Sequence, residues 1–430
     1  MIERKKYLDK LISKKENGLI KIITGIRRCG KSFLLFELYY QYLIDIGVKK
    51  ENIIQIALDE LANARYRNPM ELDKYIREQI SDGDMYYVFI DEIQLVASID
   101  NPYVNDGISK IGFVDVLLGL MKIKNLDIYV TGSNSKMLSS DILTEFKDRG
   151  DEIKVYPLSY SEFYNAYEDS KHAWREYFTY GGMPRLMALN SHEEKSKYLK
   201  DLFSKTYISD VIERNKISNS KEILEELLNI ISSSVGSLTN PTKLSKTFKS
   251  VKQIKITNVT ISKYLDYFID AFIISKAIRY DVKGKKYIDT PLKYYFTDIG
   301  LRNTRMNFRQ QEENHIMENI IYNELIIREF DVDVGVVEYN YKDKTEKKLR
   351  TQLEIDFVAN KGSNKYYIQS ALSVSDEDKR LQEINSLKRV ADSFKKIVIV
   401  KDDIIPWHDD YGILYIGIEQ FLLDPSSINL

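Results

Sequence analysis

The chain has 430 residues, 43% of them hydrophobic and 30% charged, with a net charge of −1 and one cysteine. This composition excludes a disordered chain, an internal disulfide and a cysteine-based zinc cluster, and the length predicts two or three domains. Residues 1–18 are charged throughout and no apolar run reaches the ~18 residues of a membrane span, so we expect a cytoplasmic protein with no membrane segment.

The first part of the chain alternates β-rich and helical runs, which predicts a parallel sheet covered by helices. The predicted strands are residues 19–24, 53–58, 86–90, 127–131 and 153–156, and the first is followed by a helix over 31–42. We therefore expect an α/β domain over residues 1–165.

A complete phosphate-binding motif lies between the first predicted strand and its helix. The sequence GIRRCGKS matches G-x-x-x-x-G-K-[ST], the P-loop. Its predicted ATP-binding residues are Gly25, Ile26, Arg27, Arg28, Cys29, Gly30, Lys31 and Ser32. Backbone N–H groups close around the phosphates, Lys31 reaches the β- and γ-phosphates, and Ser32 is a Mg²⁺ ligand.

Two acidic residues follow the third predicted strand. Asp91 is expected to hold Mg²⁺ through water, and Glu92 to polarise the attacking water. A water-polarising acid indicates ATP hydrolysis rather than a small-molecule kinase. The alternative is two carboxylates at a solvated strand end.

Three more residues are candidates for catalysis. Ser133 and Asn134, after the fourth strand, either touch the γ-phosphate or the water, or form a simple turn. Arg149 either acts on the nucleotide of a neighbouring subunit, which requires a homo-oligomer, or is a surface arginine.

Seven segments, in this order, resemble a prokaryotic group of AAA-superfamily P-loop ATPases. They are GIRRCGKS, FIDEIQ, TGSNS, VYPLSYSEF, YGGMPR, KYYFTDIGLRN and IDFV with YIQ. The resemblance implies a helical linker and winged helix-turn-helix over 166–300, then over 301–430 a domain similar to PD-(D/E)XK nucleases. One departure is Asp148, where the family usually has a small residue before the arginine equated with Arg149.

Residues 236–296 carry 12 Lys or Arg and 4 Asp, a local charge of 12 − 4 = +8. A helical pattern formed by Ile261, Leu265, Phe268 and Phe272 leads into a basic hairpin that turns at Gly284. Either this winged helix contacts DNA phosphates or it packs within the protein and its lysines are solvated. The lysines in question are Lys263, Lys283, Lys285 and Lys286.

The last domain carries remnants of a metal-binding nuclease site. Glu354 and Asp356 alternate on one strand face, and Glu318 or Glu324 lies on the preceding helix. The expected acid-x-Lys motif, however, reads Gln369-Ser-Ala371, which removes an acid and the lysine; Lys365 is the candidate for a migrated lysine. We therefore predict a catalytically inactive scaffold.

Together these features predict Mg²⁺-dependent ATP hydrolysis that drives a conformational switch acting on DNA. Two alternatives stay open: a nucleotide-gated protein-interaction switch without DNA binding, and an ATP-regulated nuclease.

Overall fold

The computed structural model describes residues 2–104, 108–133, 149–217, 221–309, 312–342 and 348–430. The chain forms two compact units. The first comprises Met1–Tyr156 with Asp270–Phe272, and the second comprises Pro157–Ile269 with Ile273–Leu430.

The first unit is built on a five-stranded parallel sheet. Its strands are β1 (Ile20–Thr24), β2 (Ile53–Ala57), β3 (Tyr86–Asp91), β6 (Leu126–Gly132) and β7 (Gly150–Lys154), and a separate small ribbon pairs β4 (Ile99–Asp100) with β5 (Lys110–Ile111). The sheet order is β2-β3-β6-β1-β7, and all its pairs are parallel. The predicted α/β fold with a parallel sheet is confirmed.

Helices cover this sheet. They are Lys5–Ser13, a continuous helix formed by Lys31–Phe33, the π-helical Leu34–Tyr39 and Tyr40–Asp45, then Pro69–Gln79 and Phe113–Leu120; 3₁₀ turns lie at Lys50–Asn52, Leu61–Arg67 and Ile93–Leu95. Every residue of β1, β3 and β6 is buried, as expected for central parallel strands covered on both faces.

The second unit contains an eight-stranded mixed sheet in the order β14-β15-β13-β12-β11-β10-β8-β9. Its strands are β8 (Ile274–Asp281), β9 (Lys286–Phe296), β10 (Asp331–Lys342), β11 (Lys348–Lys361), β12 (Asn364–Ala371), β13 (Lys395–Val400), β14 (Trp407–His408) and β15 (Leu414–Gly417). The basic hairpin, β8 and β9, joins the C-terminal strands because Arg279–Asp281 pairs with Val334–Val336. The predicted domain boundary between residues 300 and 301 therefore lies within one compact unit, inside the helix Ile299–Arg305.

The helices of this unit lie before the first strand of the sheet, in the connections between its strands and after the last strand. They are Tyr160–Ala166, Ala173–Tyr180, His192–Asp201 continued by the π-helical Leu202–Tyr207 and by Ile208–Arg214, Lys221–Ser233, Pro241–Lys252, Asn258–Asp270, Ile299–Arg305, Glu313–Ile327, Glu377–Glu383, Asn385–Lys388 and Ile418–Leu423, with 3₁₀ turns at Ser170–His172, Pro184–Ala188 and Pro425–Asn429. No helix among the described residues is long and apolar enough to span a bilayer.

The segments YGGMPR and KYYFTDIGLRN meet at one buried carboxylate. Gly182 N donates to Asp298 Oδ2 at 2.6 Å, and Leu301 N donates to Asp298 Oδ1 at 3.2 Å, so this side chain caps the helix Ile299–Arg305. Burial raises the pKa of Asp298 to about 6, against the lowering effect of these N–H donors. These two segments thus serve the fold of the second unit.

A substitution at Gly181 tests the contact between these two segments at Asp298. The φ of Gly181 is +77°, and an added Cβ would lie 2.2 Å from Asp298 Oδ1. We expect Gly181→Ala to lower the free energy of unfolding by several kcal/mol, because strain is combined with a clash on a buried group. Gly362→Ala is the matched control: Gly362 has a φ of +60° and open space around its Cβ position, so it should lose only about 1–2 kcal/mol. The free energies of unfolding are measured by urea denaturation. Equal losses in Gly181→Ala and Gly362→Ala would show that the contact between Gly181 and Asp298 does not stabilise the second unit.

Candidate nucleotide site

The P-loop connects the end of β1 to the helix that begins at Lys31. Gly25 has a φ of +142°, and a Cβ at this position would lie 2.0 Å from the carbonyl oxygen of Val155. Only glycine fits here, so the first glycine of the motif is fixed by packing as well as by backbone conformation. Cys29 is fully buried, and its thiol donates to the same carbonyl at 3.4 Å.

The lysine of the motif lies over the loop. Lys31 is 4% exposed, and its ammonium donates to the carbonyl oxygens of Gly25 at 3.0 Å and Ile26 at 3.1 Å. The side chain of Ser32 is exposed on the first helical turn, and those of Arg27 and Arg28 are partly and fully exposed. Cationic and hydroxyl groups therefore lie at a helix N-terminus that itself favours anions.

Asp91 and Glu92 lie at the carboxyl end of β3. Asp91 is 6% exposed and accepts a hydrogen bond from the Thr131 hydroxyl, which in turn accepts one from Glu92 N at 3.1 Å. Since β6 lies between β3 and the P-loop strand β1, Thr131 links these acids to the strand beside the P-loop. Carboxylate and hydroxyl oxygens such as those of Asp91 and Ser32 are ligands that suit Mg²⁺.

Glu92 is held in an unusual backbone conformation. Its φ is +53°, in the left-handed region that non-glycine residues rarely adopt and that recurs at functional sites. Its carboxylate accepts from the Gln94 amide and, at 3.4 Å, from the Ser133 hydroxyl. The structure thus brings Glu92 and Ser133 together, and it adds Gln94, the last residue of the segment FIDEIQ, which was not among the predicted site residues.

The other two predicted catalytic residues have different outcomes. Asn134 lies outside the described residues, as does Asp148. Arg149 is exposed immediately before β7, and its carbonyl oxygen accepts from Ile20 N at 3.0 Å.

In the second unit, a lysine lies among the predicted nuclease-like carboxylates. Lys293 on β9 is 2% exposed, and its ammonium lies 2.8 Å from Glu318 Oε1, 2.7 Å from Glu354 Oε1 and 3.7 Å from Asp356 Oδ1. We call these four residues the Lys293 cluster. Lys293 was missed as a site residue, although a lysine next to the apolar run Tyr294-Tyr295-Phe296 is a signal of a buried, paired charge.

The alternative candidates for this site do not join it. Glu324 instead accepts from Arg328 Nε at 2.7 Å, and Lys365 lies over the rings of Tyr280 and Phe394. Gln369 accepts from Asp356 N at 3.4 Å. Glu318 is therefore the acid that the helix contributes to the cluster. The prediction that Lys365 replaces the missing lysine is wrong, because Lys365 lies over two aromatic rings instead.

In the Lys293 cluster one ammonium faces three carboxyl groups. Burial acts to lower the pKa of Lys293, but the three carboxylates outweigh it and raise that pKa. Burial and the charge of Glu318 raise the pKa of Asp356 to about 8. A buried ammonium thus holds the position that a cation would take between these acids. Among the described residues no group of three or more His, Cys, Asp or Glu side chains is arranged to hold a metal ion.

The fold and the P-loop together define the first unit as an AAA-type P-loop domain. Residues 17–164 match the family described as an AAA domain, and residues 171–312 match a domain of unknown function (DUF8612).

The chain belongs to the same family as an uncharacterized protein of Haemophilus influenzae, to which it is 33% identical over 93% of both chains. An uncharacterized protein of Methanocaldococcus jannaschii is 28% identical over 95% of this chain and 85% of that protein.

Two solved structures have a weak overall likeness to the chain. Aeropyrum pernix ORC1 in complex with DNA has a TM-score of 0.30 and 11% identity, covering 71% of this chain and 93% of that one. AMPPCP-bound DnaA from Aquifex aeolicus has a TM-score of 0.30 and 12% identity, covering 60% and 84%. What those two proteins bind is no guide to this chain.

The Lys293 cluster leads to a prediction about nuclease activity. We expect no cleavage of supercoiled, linear or single-stranded DNA, or of RNA, in Mg²⁺ or Mn²⁺. The ammonium of Lys293 already lies among the acids where a metal ion would bind, and Gln369 and Ala371 supply neither the acid nor the lysine of the acid-x-Lys motif. Metal-dependent cleavage that disappears in Asp356→Ala would contradict this.

The same cluster can be tested by metal binding. Lys293→Met should leave three carboxylates without their cation and create a Mn²⁺ site, detected by electron paramagnetic resonance, that the wild-type protein lacks. Lys276→Met is the control, because Lys276 is exposed on the neighbouring strand β8.

Proposed function

We propose that the first unit binds and hydrolyses Mg-ATP. The observation that carries this proposal is that the P-loop follows β1 and the acidic pair ends β3 at the carboxyl edge of one parallel sheet. Thr131, on the intervening strand β6, is hydrogen-bonded to both acidic residues. Lys31 and the loop N–H groups would bind the phosphates, and Ser32 and Asp91 would hold Mg²⁺, which neutralises phosphate charge.

In this proposal Glu92 orients the attacking water and accepts its proton. Its position is set by the left-handed backbone and by hydrogen bonds from Gln94 and Ser133, so its carboxylate is preorganised rather than mobile. Arg149, exposed at the start of β7, is the candidate for contact with a neighbouring subunit's nucleotide in a homo-oligomer.

Substitutions separate binding from hydrolysis. Glu92→Gln should keep ATP affinity and lower turnover by about 10²–10⁴-fold, because the amide cannot accept the proton. Lys31→Ala should lose binding, because the phosphates lose their main cation. Phosphate release and nucleotide titrations measure the two effects. The control is Glu78→Gln, which removes an exposed acid that lies 3.9 Å from Lys74 on the helix Pro69–Gln79. Unchanged turnover in Glu92→Gln would show that Glu92 does not activate the attacking water.

We further propose that nucleotide turnover switches the second unit between states that differ in DNA affinity. The supporting observation is a helix pair, Pro241–Lys252 and Asn258–Asp270, joined by a short turn. On the first helix, Leu244 and Phe248 are buried, and three lysines are exposed, namely Lys243, Lys246 and Lys249. On the second helix, Asn258 and Lys263 are exposed near its N-terminus, where a helix-turn-helix reads DNA.

The hairpin contributes less charge to this surface than its sequence predicts. Lys283, Lys285 and Lys286 are exposed at its turn, but Lys283 Nζ donates to Glu338 O at 3.0 Å. Arg279 and Lys293 are buried and paired with other side chains. The pairing of β8 with β10 therefore favours packing for the hairpin strands, and the helix pair is the better candidate for phosphate contact.

Salt dependence tests this proposal. DNA affinity should fall linearly with the logarithm of salt concentration. Reversing Lys246 and Lys249 to Glu should weaken binding to all sequences and reduce the slope by roughly 2, about 0.9 for each lost phosphate contact. The matched control reverses Lys122 and Lys124, two exposed lysines of the first unit. Salt-insensitive or absent binding would favour the nucleotide-gated protein-interaction switch instead.

A further inference from the structure

A polar cavity lies among the helices of the second unit, outside every site described above. Its volume is about 270 Å³, and its lining residues come from the helical stretch around Lys200, from Lys221–Ser233 and from the end of Ile299–Arg305. They are Lys200, Phe203, Ser204, Asn229, Thr304, Arg305 and Asn307. Two cations and several hydrogen-bond donors line it, and the two acids that act on Arg305, Glu225 and Glu226, are not among these lining residues.

Arg305 is fixed at the wall of this cavity. Its Nε donates to Asn229 Oδ1 at 2.9 Å and its Nη2 donates to Glu225 O at 3.1 Å, while the guanidinium carbon lies 5.1 Å from the centre of the Phe203 ring. A guanidinium held on one side by two hydrogen bonds and a ring is preorganised for an oxyanion on the other side. Lys200 is exposed and adds a second positive charge at the mouth.

Thr304 points independently to a ligand. It is 4% exposed, and its hydroxyl has no hydrogen-bond partner among the described residues. A buried hydroxyl without a partner is destabilising, and a rotation of the Thr304 side chain towards the cavity would let a ligand oxygen accept from it.

Part of the lining comes from a π-helical segment, Leu202–Tyr207, which carries Phe203 and Ser204. The Ser204 hydroxyl donates to Lys200 O at 2.9 Å. Wider turns of this kind are uncommon in helices and often occur at functional sites.

We propose that this cavity binds the phosphoryl group of a small phosphorylated molecule. The planar guanidinium of Arg305 matches the oxygens of a phosphate, the Lys200 ammonium supplies a second charge, and the Thr304 hydroxyl donates to the third oxygen. The volume holds a phosphoryl group with a small attached group. The cavity would let the second unit respond to a ligand other than the nucleotide of the P-loop.

The test uses inorganic phosphate as the probe, titrated by calorimetry into the full-length Lys31→Ala protein so that the P-loop does not compete. We expect one site per chain. Thr304→Val and Lys200→Gln, each added to this background, should weaken binding about tenfold or more, since each removes a donor to an anion. Lys205→Gln is the matched control, because Lys205 lies on the same helical segment, is exposed and does not line the cavity.

A structural role gives a different result from a binding role. Thr304→Val keeps the side-chain shape and removes an unpartnered hydroxyl, so the melting temperature without phosphate should not fall while affinity does. Absence of binding at millimolar phosphate, or equal affinities in all variants, would overturn the proposal. Competition by a short oligonucleotide but not by a phosphate monoester would also overturn it, because it would assign the cavity to nucleic-acid phosphates.

Discussion

Parallel pairing of five strands is the constraint on which the nucleotide site depends. Parallel strands end at the same edge of a sheet, so β1, β3 and β6 deliver the P-loop, the acidic pair and Ser133 to one place. These three strands are central and covered on both faces, so all their residues are buried. The side chains that can contact a ligand therefore lie at the ends of the strands. Thr131 joins the ends of β6 and β3 through hydrogen bonds to Asp91 and Glu92.

Buried charge organises the second unit in a comparable way. Lys293 connects the hairpin strand β9 to the helix of Glu318 and to the strand of Glu354 and Asp356. Removing one partner from such a cluster leaves an uncompensated charge in a low-dielectric interior, which is costly. The cluster thus connects two strands and a helix of the second unit.

Local patterns predicted the first unit well. Apolar β-rich runs placed the five strands close to their observed ends, and the P-loop lay between the expected strand and helix. The second unit was harder, because its sheet pairs residues far apart in sequence. The parallel pairing of Arg279–Asp281 with Val334–Val336 has no local signal, so the hairpin was assigned to a separate winged helix. From the sequence, Glu318 and Glu324 were equal candidates for the acid on the helix. The structure shows that Glu318 contacts Lys293 and that Glu324 contacts Arg328.

The sequence by itself determined the chemistry of the P-loop and the acidic pair, because both depend on residue types at fixed short spacings. Only the tertiary structure decided where long side chains end. It placed Lys293 rather than Lys365 among the carboxylates, and it left the hydroxyl of Thr304 unpartnered beside Arg305. The physical reason is that a buried charge or hydroxyl is governed by the groups that surround it in space, and chain distance carries no information about them.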